Sequence, residues 1–173
     1  MVERSLILIK PDGVQRCLVG EIITRFERAG LKIVGIKMVW CNKEHAIKHY
    51  TEDITKRRGE HIRNKLISFL TEGPVVAICL EGIDAVEVVR KIVGSTEPKT
   101  AQPGTIRGDY AHMSYTHADN SSRALPNLIH ASGNKEEAVS EIALWFTSEE
   151  IHTYKTVHDL HVYRGVAKLK KFC

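Results

Sequence analysis

The sequence predicts an α+β fold of the ferredoxin-like, split βαβ kind: a four-stranded antiparallel sheet with helices on one face and loop insertions. Three observations carry that reading. They are apolar runs of strand length, apolar residues at helical spacing between them, and the order strand, helix, strand, helices, strand, helix, strand, helix.

The first run, Ser5–Ile9, is apolar and β-prone and ends at Lys10-Pro11-Asp12-Gly13, where proline and Asp-Gly punctuate the chain. It reads as a buried strand followed by a turn. Val19, Ile22, Ile23, Phe26 and Ala29 then recur at helical spacing, and Gly30 stands where a helix-ending glycine belongs. Between Leu31 and Trp40, alternation places Val34, Ile36, Met38 and Trp40 on one face of a second strand. Helical stretches follow around Lys43–Tyr50 and Glu60–Leu70, the second stopped by Gly73-Pro74. Val75–Leu80 is the clearest buried strand, and Ile83, Val86, Val89 and Val93 mark a helix that Gly94 ends. The polar stretch from Ser95 to Pro126, with three prolines, reads as loop with one short strand near Tyr110–Tyr115. The last helix begins after Asn134, a capping side chain, and Glu137 three residues on completes a capping-box pattern. His130 therefore lies just ahead of a helix start.

A length of 173 residues suits one domain spanning the whole chain, with residues 162–173 as a basic tail. The apolar and charged shares, 43% and 27%, are those of a folded globular protein. The longest apolar runs fall far short of the ~20 residues a bilayer span requires, so no membrane association is expected. The amino terminus lacks the pattern of a secretory signal, and Cys17, Cys41, Cys79 and Cys173 form no C-x-x-C pair. A cytoplasmic location with reduced thiols is the expectation. A formal charge of +4 spread along the chain favours a small anionic ligand over nucleic acid. Tyr110 and Tyr115 sit in no recognisable RNA motif, and the local basic excess at Arg164–Lys171 reads as a solvated tail.

Chemistry concentrates at Asn127-Leu128-Ile129-His130-Ala131-Ser132, with Glu141 eleven residues after the histidine on the expected last helix. An imidazole that attacks phosphorus must be neutral, and a carboxylate on its other N–H fixes the tautomer and steadies the developing positive charge. Glu141 suits that task. A phosphoryl group on His130 lies near helix N–H groups, which favour anions. Lys10 offers an ammonium at a strand tip; Arg90, Thr96 and Arg107 add two guanidiniums and a hydroxyl. Alone, each has an ordinary explanation as a core histidine, a surface charge or a capping hydroxyl. Together they match phosphoryl transfer, which asks a protein mainly to position the group and offset its charge.

No G-x-x-x-x-G-K-[ST] occurs, so side chains must hold the phosphates. The pairs His45/His49 and His158/His161 lack the cysteines or glutamate of a metal site and read as surface or packing residues. A nucleotide-binding regulatory module without turnover is the rival class.

Lys10-Pro11-Asp12-Gly13-Val14, Gly73-Pro74-Val75-Val76-Ala77, Pro103-Gly104-Thr105-Ile106-Arg107-Gly108-Asp109 and the His130 segment resemble, in order, motifs of the nucleoside diphosphate kinases. The resemblance implies a ping-pong reaction. A nucleoside triphosphate phosphorylates His130, a nucleoside diphosphate collects the group, and Mg²⁺ is held by the nucleotide phosphates, with no metal ligand from the protein. It also implies that Lys10 reaches phosphates and sugar, that Arg90, Thr96 and Arg107 hold phosphate oxygens, and that Asn127 contacts the ribose. Tyr50 and Ser132 then line the histidine, Glu141 orients it, and the chain forms homo-hexamers or homo-tetramers.

Three departures from the family pattern stand out. Lys56-Arg57-Arg58-Gly59-Glu60-His61 replaces a Pro-Phe-Phe segment whose first phenylalanine stacks on the base, leaving His61 or Ile62 as substitutes. Met113–Leu125 is longer than in shorter members and is expected to bulge at the surface or a subunit contact. Gly133-Asn134 stands in place of Asp-Ser, with Asn134 taking over the helix cap.

Overall fold

The computed structural model describes residues 1–163. The Arg164–Lys171 excess lies outside them, and of the expected basic tail only Val162 and Tyr163 are described. Four strands, β1 (Val2–Ile9), β2 (Lys32–Trp40), β3 (Pro74–Ile83) and β4 (Ile129–Ala131), form one sheet in the order β2-β3-β1-β4 with antiparallel neighbours. Between and after them run α1 (Pro11–Gln15), α2 (Val19–Arg28), α3 (Lys43–His49), α4 (Glu52–Arg58), α5 (Glu60–Thr71), α6 (Ala85–Val93), α7 (Ile106–Tyr110), α8 (Tyr115–Asn120), α9 (Lys135–Trp145) and α10 (Val157–His161).

Strand β1 explains the layering. Its alternate residues face opposite sides, so Ile7 and Ile9 pack with Ile22 and Phe26 of α2 and Val89 and Val93 of α6. These are the two helices of the split βαβ plan, on one face. Leu6 and Leu8 point the other way, onto Ala46 of α3, Leu70 of α5 and Trp145 of α9. Helix cover thus extends beyond the one face expected.

Several local expectations are corrected. The residues after Lys10 form a short helix instead of an open turn, with Pro11 at its first position, where a missing N–H costs nothing. Gly13 is required there, because a Cβ would meet Ile9 Cγ2 at 2.8 Å and the Leu128 carbonyl oxygen at 3.0 Å. In β2 a bulge between Ile33 and Gly35 splits the alternating set. Val34 joins the α9 side of the core. Ile36 and Met38 sit opposite Ile78 and Val76, on the α2 side, and with Trp40 they are exposed by 51%, 61% and 69%.

The strand expected near Tyr110–Tyr115 is absent. Thr105 and Ser114 each accept a backbone N–H, from Gly108 and His117, and so start α7 and α8. The fourth strand is Ile129–Ala131, where Leu8 pairs with His130. His130 therefore sits on a sheet edge, one strand from the molecule's centre.

Candidate active site

His130 is fixed from three directions. Its backbone belongs to β4, and the preceding Leu128 adopts a left-handed φ of 68°. That turn is pinned by Asp12 Oδ2, which accepts the Leu128 N–H at 3.0 Å, and by the Lys10 N–H donating to the Leu128 carbonyl at 2.8 Å. The Lys-Pro-Asp-Gly segment thus shapes the histidine's strand as well as carrying Lys10. On the ring, Nε2 lies 2.8 Å from Glu141 Oε1. A carboxylate accepts, so Nε2 carries the proton and Nδ1 keeps the lone pair.

Glu141 is itself held. Ser132 Oγ donates to Glu141 Oε2 at 2.6 Å and accepts the Leu6 N–H at 3.2 Å. Ser132 thus steadies the glutamate, one step removed from the histidine it is expected to line. Tyr50 is buried, and burial raises its phenol above the ordinary range, so it stays protonated.

His49, expected from the sequence as a surface or packing residue, is a packing residue, but the sequence reading does not place it beside His130. Its buried ring meets the His130 ring edge-on at 4.6 Å between centroids, and its Nδ1 accepts the Trp145 indole N–H at 3.3 Å. Burial, then the neighbouring His130, hold its pKa well below 6.5, so it packs as a neutral ring. Its signal in the sequence is its place beside Tyr50 and four residues after His45, whose ring packs on the same Trp145 at 4.4 Å. Donor atoms of His49, His130 and Glu141 lie within 4.8 Å of one another. Of these, only Glu141 is hydrogen-bonded to His130; His49 Nδ1 stays 3.9 Å from Glu141 Oε1 and its ring packs edge-on, so the group surrounds and aims one imidazole.

Beside His130 lies a cavity of about 420 Å³, which Lys10, Arg90, Thr96, Arg107, Asn127 and Tyr50 all line. Lys10 is buried and its Nζ donates to Asn127 Oδ1 at 2.7 Å; burial, aided by Arg107, lowers its pKa to about 8. Arg107 donates to three carbonyls, those of Asn127 at 3.1 Å, Gly94 at 3.0 Å and Ile129 at 2.6 Å. A guanidinium has five N–H groups, so two remain for a ligand. Burial lowers the Arg107 pKa to about 10, which leaves it charged near neutrality. The Asn127 amide donates to the Thr96 carbonyl at 2.8 Å, tying that loop to Lys10. Arg90 and Thr96 are exposed on the same wall.

No aspartate or glutamate lines this cavity among the described residues. The wall is built for an anion. A Mg²⁺ ion, which favours oxygen ligands and carboxylates, finds no anionic protein ligand there and fits only on the oxygens of a bound polyphosphate. Among the described residues no helix is long and apolar enough to cross a membrane.

Comparison with known proteins agrees with the geometry. The family model described as Nucleoside diphosphate kinase matches residues 3–151. The chain is 52% identical over 153 residues to the nucleoside diphosphate kinase of Pyrococcus furiosus, covering 88% of each chain. It is 44% identical over 156 residues to that of Borreliella burgdorferi, covering 90% of this chain and 93% of that one. Among solved structures, a transition-state mimic of the Borrelia burgdorferi enzyme with bound vanadate and ADP superposes with a TM-score of 0.92 at 43% identity, covering 94% of this chain and 97% of that one. A halophilic enzyme from Halobacterium salinarum in complex with CDP gives 0.80 at 39% identity, covering 94% and 99%.

Proposed function

Because the chain belongs to the nucleoside diphosphate kinase family and is a phosphotransferase of that kind, we propose that each site residue acts as follows. His130 Nδ1 attacks the terminal phosphorus of a nucleoside triphosphate. The P–N bond forms as the bond from phosphorus to the bridging oxygen breaks, and the nucleoside diphosphate leaves. Glu141 keeps the Nε2 proton and offsets the positive charge of the phosphorylated ring. A terminal oxygen of a second nucleoside diphosphate then attacks the phosphorus, and the P–N bond breaks to restore the neutral ring. The single observation that carries this is the pairing of an oriented imidazole with a cavity whose charged side chains are all cationic.

Within that cavity Lys10, Arg90 and the two free N–H groups of Arg107 offset phosphate charge, where a desolvated cation acts strongly. The Thr96 hydroxyl adds a neutral donor, and the second N–H of Asn127 is left for a sugar hydroxyl. Mg²⁺, when bound on the polyphosphate, supplies further charge neutralisation; the protein contributes the cations around it. Solved relatives with bound ADP and CDP support nucleotides as the ligands.

The reading includes a homo-oligomer, a hexamer or tetramer, supported by the exposed apolar row on edge strand β2. It also includes the cytoplasm, which suits the free thiols Cys17, Cys41 and Cys79. The test is steady-state transfer from ATP to GDP with both substrates varied. Parallel double-reciprocal lines are expected; intersecting lines show a ternary complex and defeat the covalent route.

A further inference from the structure

The nucleotide reading leaves the base without a seat, because a charged run stands where the stacking phenylalanine is expected. Neither substitute lines the cavity. His61 is exposed on α5, and Ile62 faces an adjoining cleft of about 270 Å³. Four residues, Arg58, Leu66, Tyr115 and Leu125, line both spaces, while Lys10, Arg90, Arg107 and His130 line only the first. The four therefore form the side of the cavity turned away from the cationic end.

Two of them meet across it. Arg58 is the last residue of α4, and Gly59, at a φ of 89° that favours glycine, turns the chain into α5, which carries Leu66. Tyr115 opens α8, inside the long Met113–Leu125 segment. That segment is not a mere surface bulge: the Tyr115 N–H donates to Glu97 Oε1 at 2.9 Å, and the Lys99 N–H donates to the Met113 carbonyl at 3.0 Å. It is thereby tied to the loop holding Thr96. Arg58 Nη2 donates to the Tyr115 hydroxyl at 3.1 Å, and the guanidinium carbon lies 5.3 Å from the ring centroid.

We propose that Arg58 and Tyr115 together form the base clamp, a planar cation from α4 and a ring from the long segment replacing one aromatic residue. This rests on the nucleotide reading of the same cavity. Both groups are flat and stack on aromatic faces, and a lysine lacks that plane. Every base has a π-face, so such a clamp holds a base without selecting one.

The test compares GDP with ribose 5-diphosphate, which has no base, as acceptors from the phosphorylated enzyme. The ratio of their kcat/KM values is expected to fall roughly tenfold in Tyr115→Ala and in Arg58→Ala, the scale of one base stack. Tyr115→Phe, which keeps the ring, is expected to recover most of the loss, and Arg58→Lys little of it. The double variant is expected to fall short of the product of the single effects, since the pair acts jointly. A ratio unchanged in both alanine variants, or falling equally in Tyr115→Phe and Tyr115→Ala, overturns the clamp. If the parent labels His130 from ATP while the ratio stays fixed, only the clamp fails; a parent that takes no label brings down the underlying reading and the clamp with it.

Discussion

At the scale of single residues, Lys10 gives up stability to keep a charge in the cavity. Its ammonium is stripped of water, so its folded pKa of about 8 lies below the ordinary 10.5 of an exposed lysine. The folded state therefore holds the proton less well than the unfolded chain, and the cost is full below about pH 8 and fades between about 8 and 10.5. Lys10→Met is predicted to raise unfolding stability at pH 7 by up to about 3 kcal/mol, a gain that urea titrations should show shrinking toward pH 10.5. The same substitution should lower kcat/KM for nucleotides, and the parent's kcat/KM should decline as pH rises through about 8. Glu141 has a different signature: Glu141→Ala frees the His130 tautomer and is predicted to cut kcat by roughly a hundredfold or more with a smaller change in KM. Ser132→Ala, which loosens the glutamate without removing it, should show a weaker loss in the same assay.

At the scale of elements, the long periodic pieces were legible and the short or polar ones were not. Helix α2 shows its apolar stripe in sequence and ends near Gly30 as expected. Helix α4 has no buried residue, so no periodicity betrays it. Strand β4 spans three residues, too few for an alternation to show, and it is held by ladder pairs to β1 and by Asp12 from far along the chain. The cap of α9 was readable: Asn134 Oδ1 accepts the Glu137 N–H at 2.8 Å. Its box is displaced by one residue, with Glu137 Oε2 accepting the Gly133 N–H at 3.0 Å. Asn134→Ala is predicted to cost about 1 kcal/mol in chemical denaturation, with Glu141 left in place and phosphotransfer little changed. His130, Glu141, Lys10, Arg90, Thr96 and Arg107 were named by their chemistry and Tyr50, Asn127 and Ser132 by the family resemblance. Linkage through carbonyls, as in Arg107, and the place of His49 beside His130 needed tertiary contacts that no spacing encodes.

At the scale of the whole molecule, one edge of the sheet is exposed along the second half of β2. Among the described residues strand β2 has β3 as its only sheet neighbour; the His152 N–H donates to its Val34 carbonyl at 2.7 Å, while Ile36, Met38 and Trp40 beyond that point are exposed. The proposed oligomer gives that row a cover. Ile36→Lys with Met38→Lys is predicted to lower the mass measured by light scattering, whereas an unchanged mass places the subunit contact elsewhere. The sheet's other edge holds His130, so the surface suited to assembly and the chemistry lie on opposite borders. In the proposed reaction a phosphoryl group resides on that histidine between the two half-reactions. Incubation with γ-labelled ATP, followed by acid and alkali treatment of the denatured protein, tests it most directly. The parent should carry an acid-labile, alkali-stable label and His130→Ala none; a variant that labels and transfers as well as the parent contradicts the account.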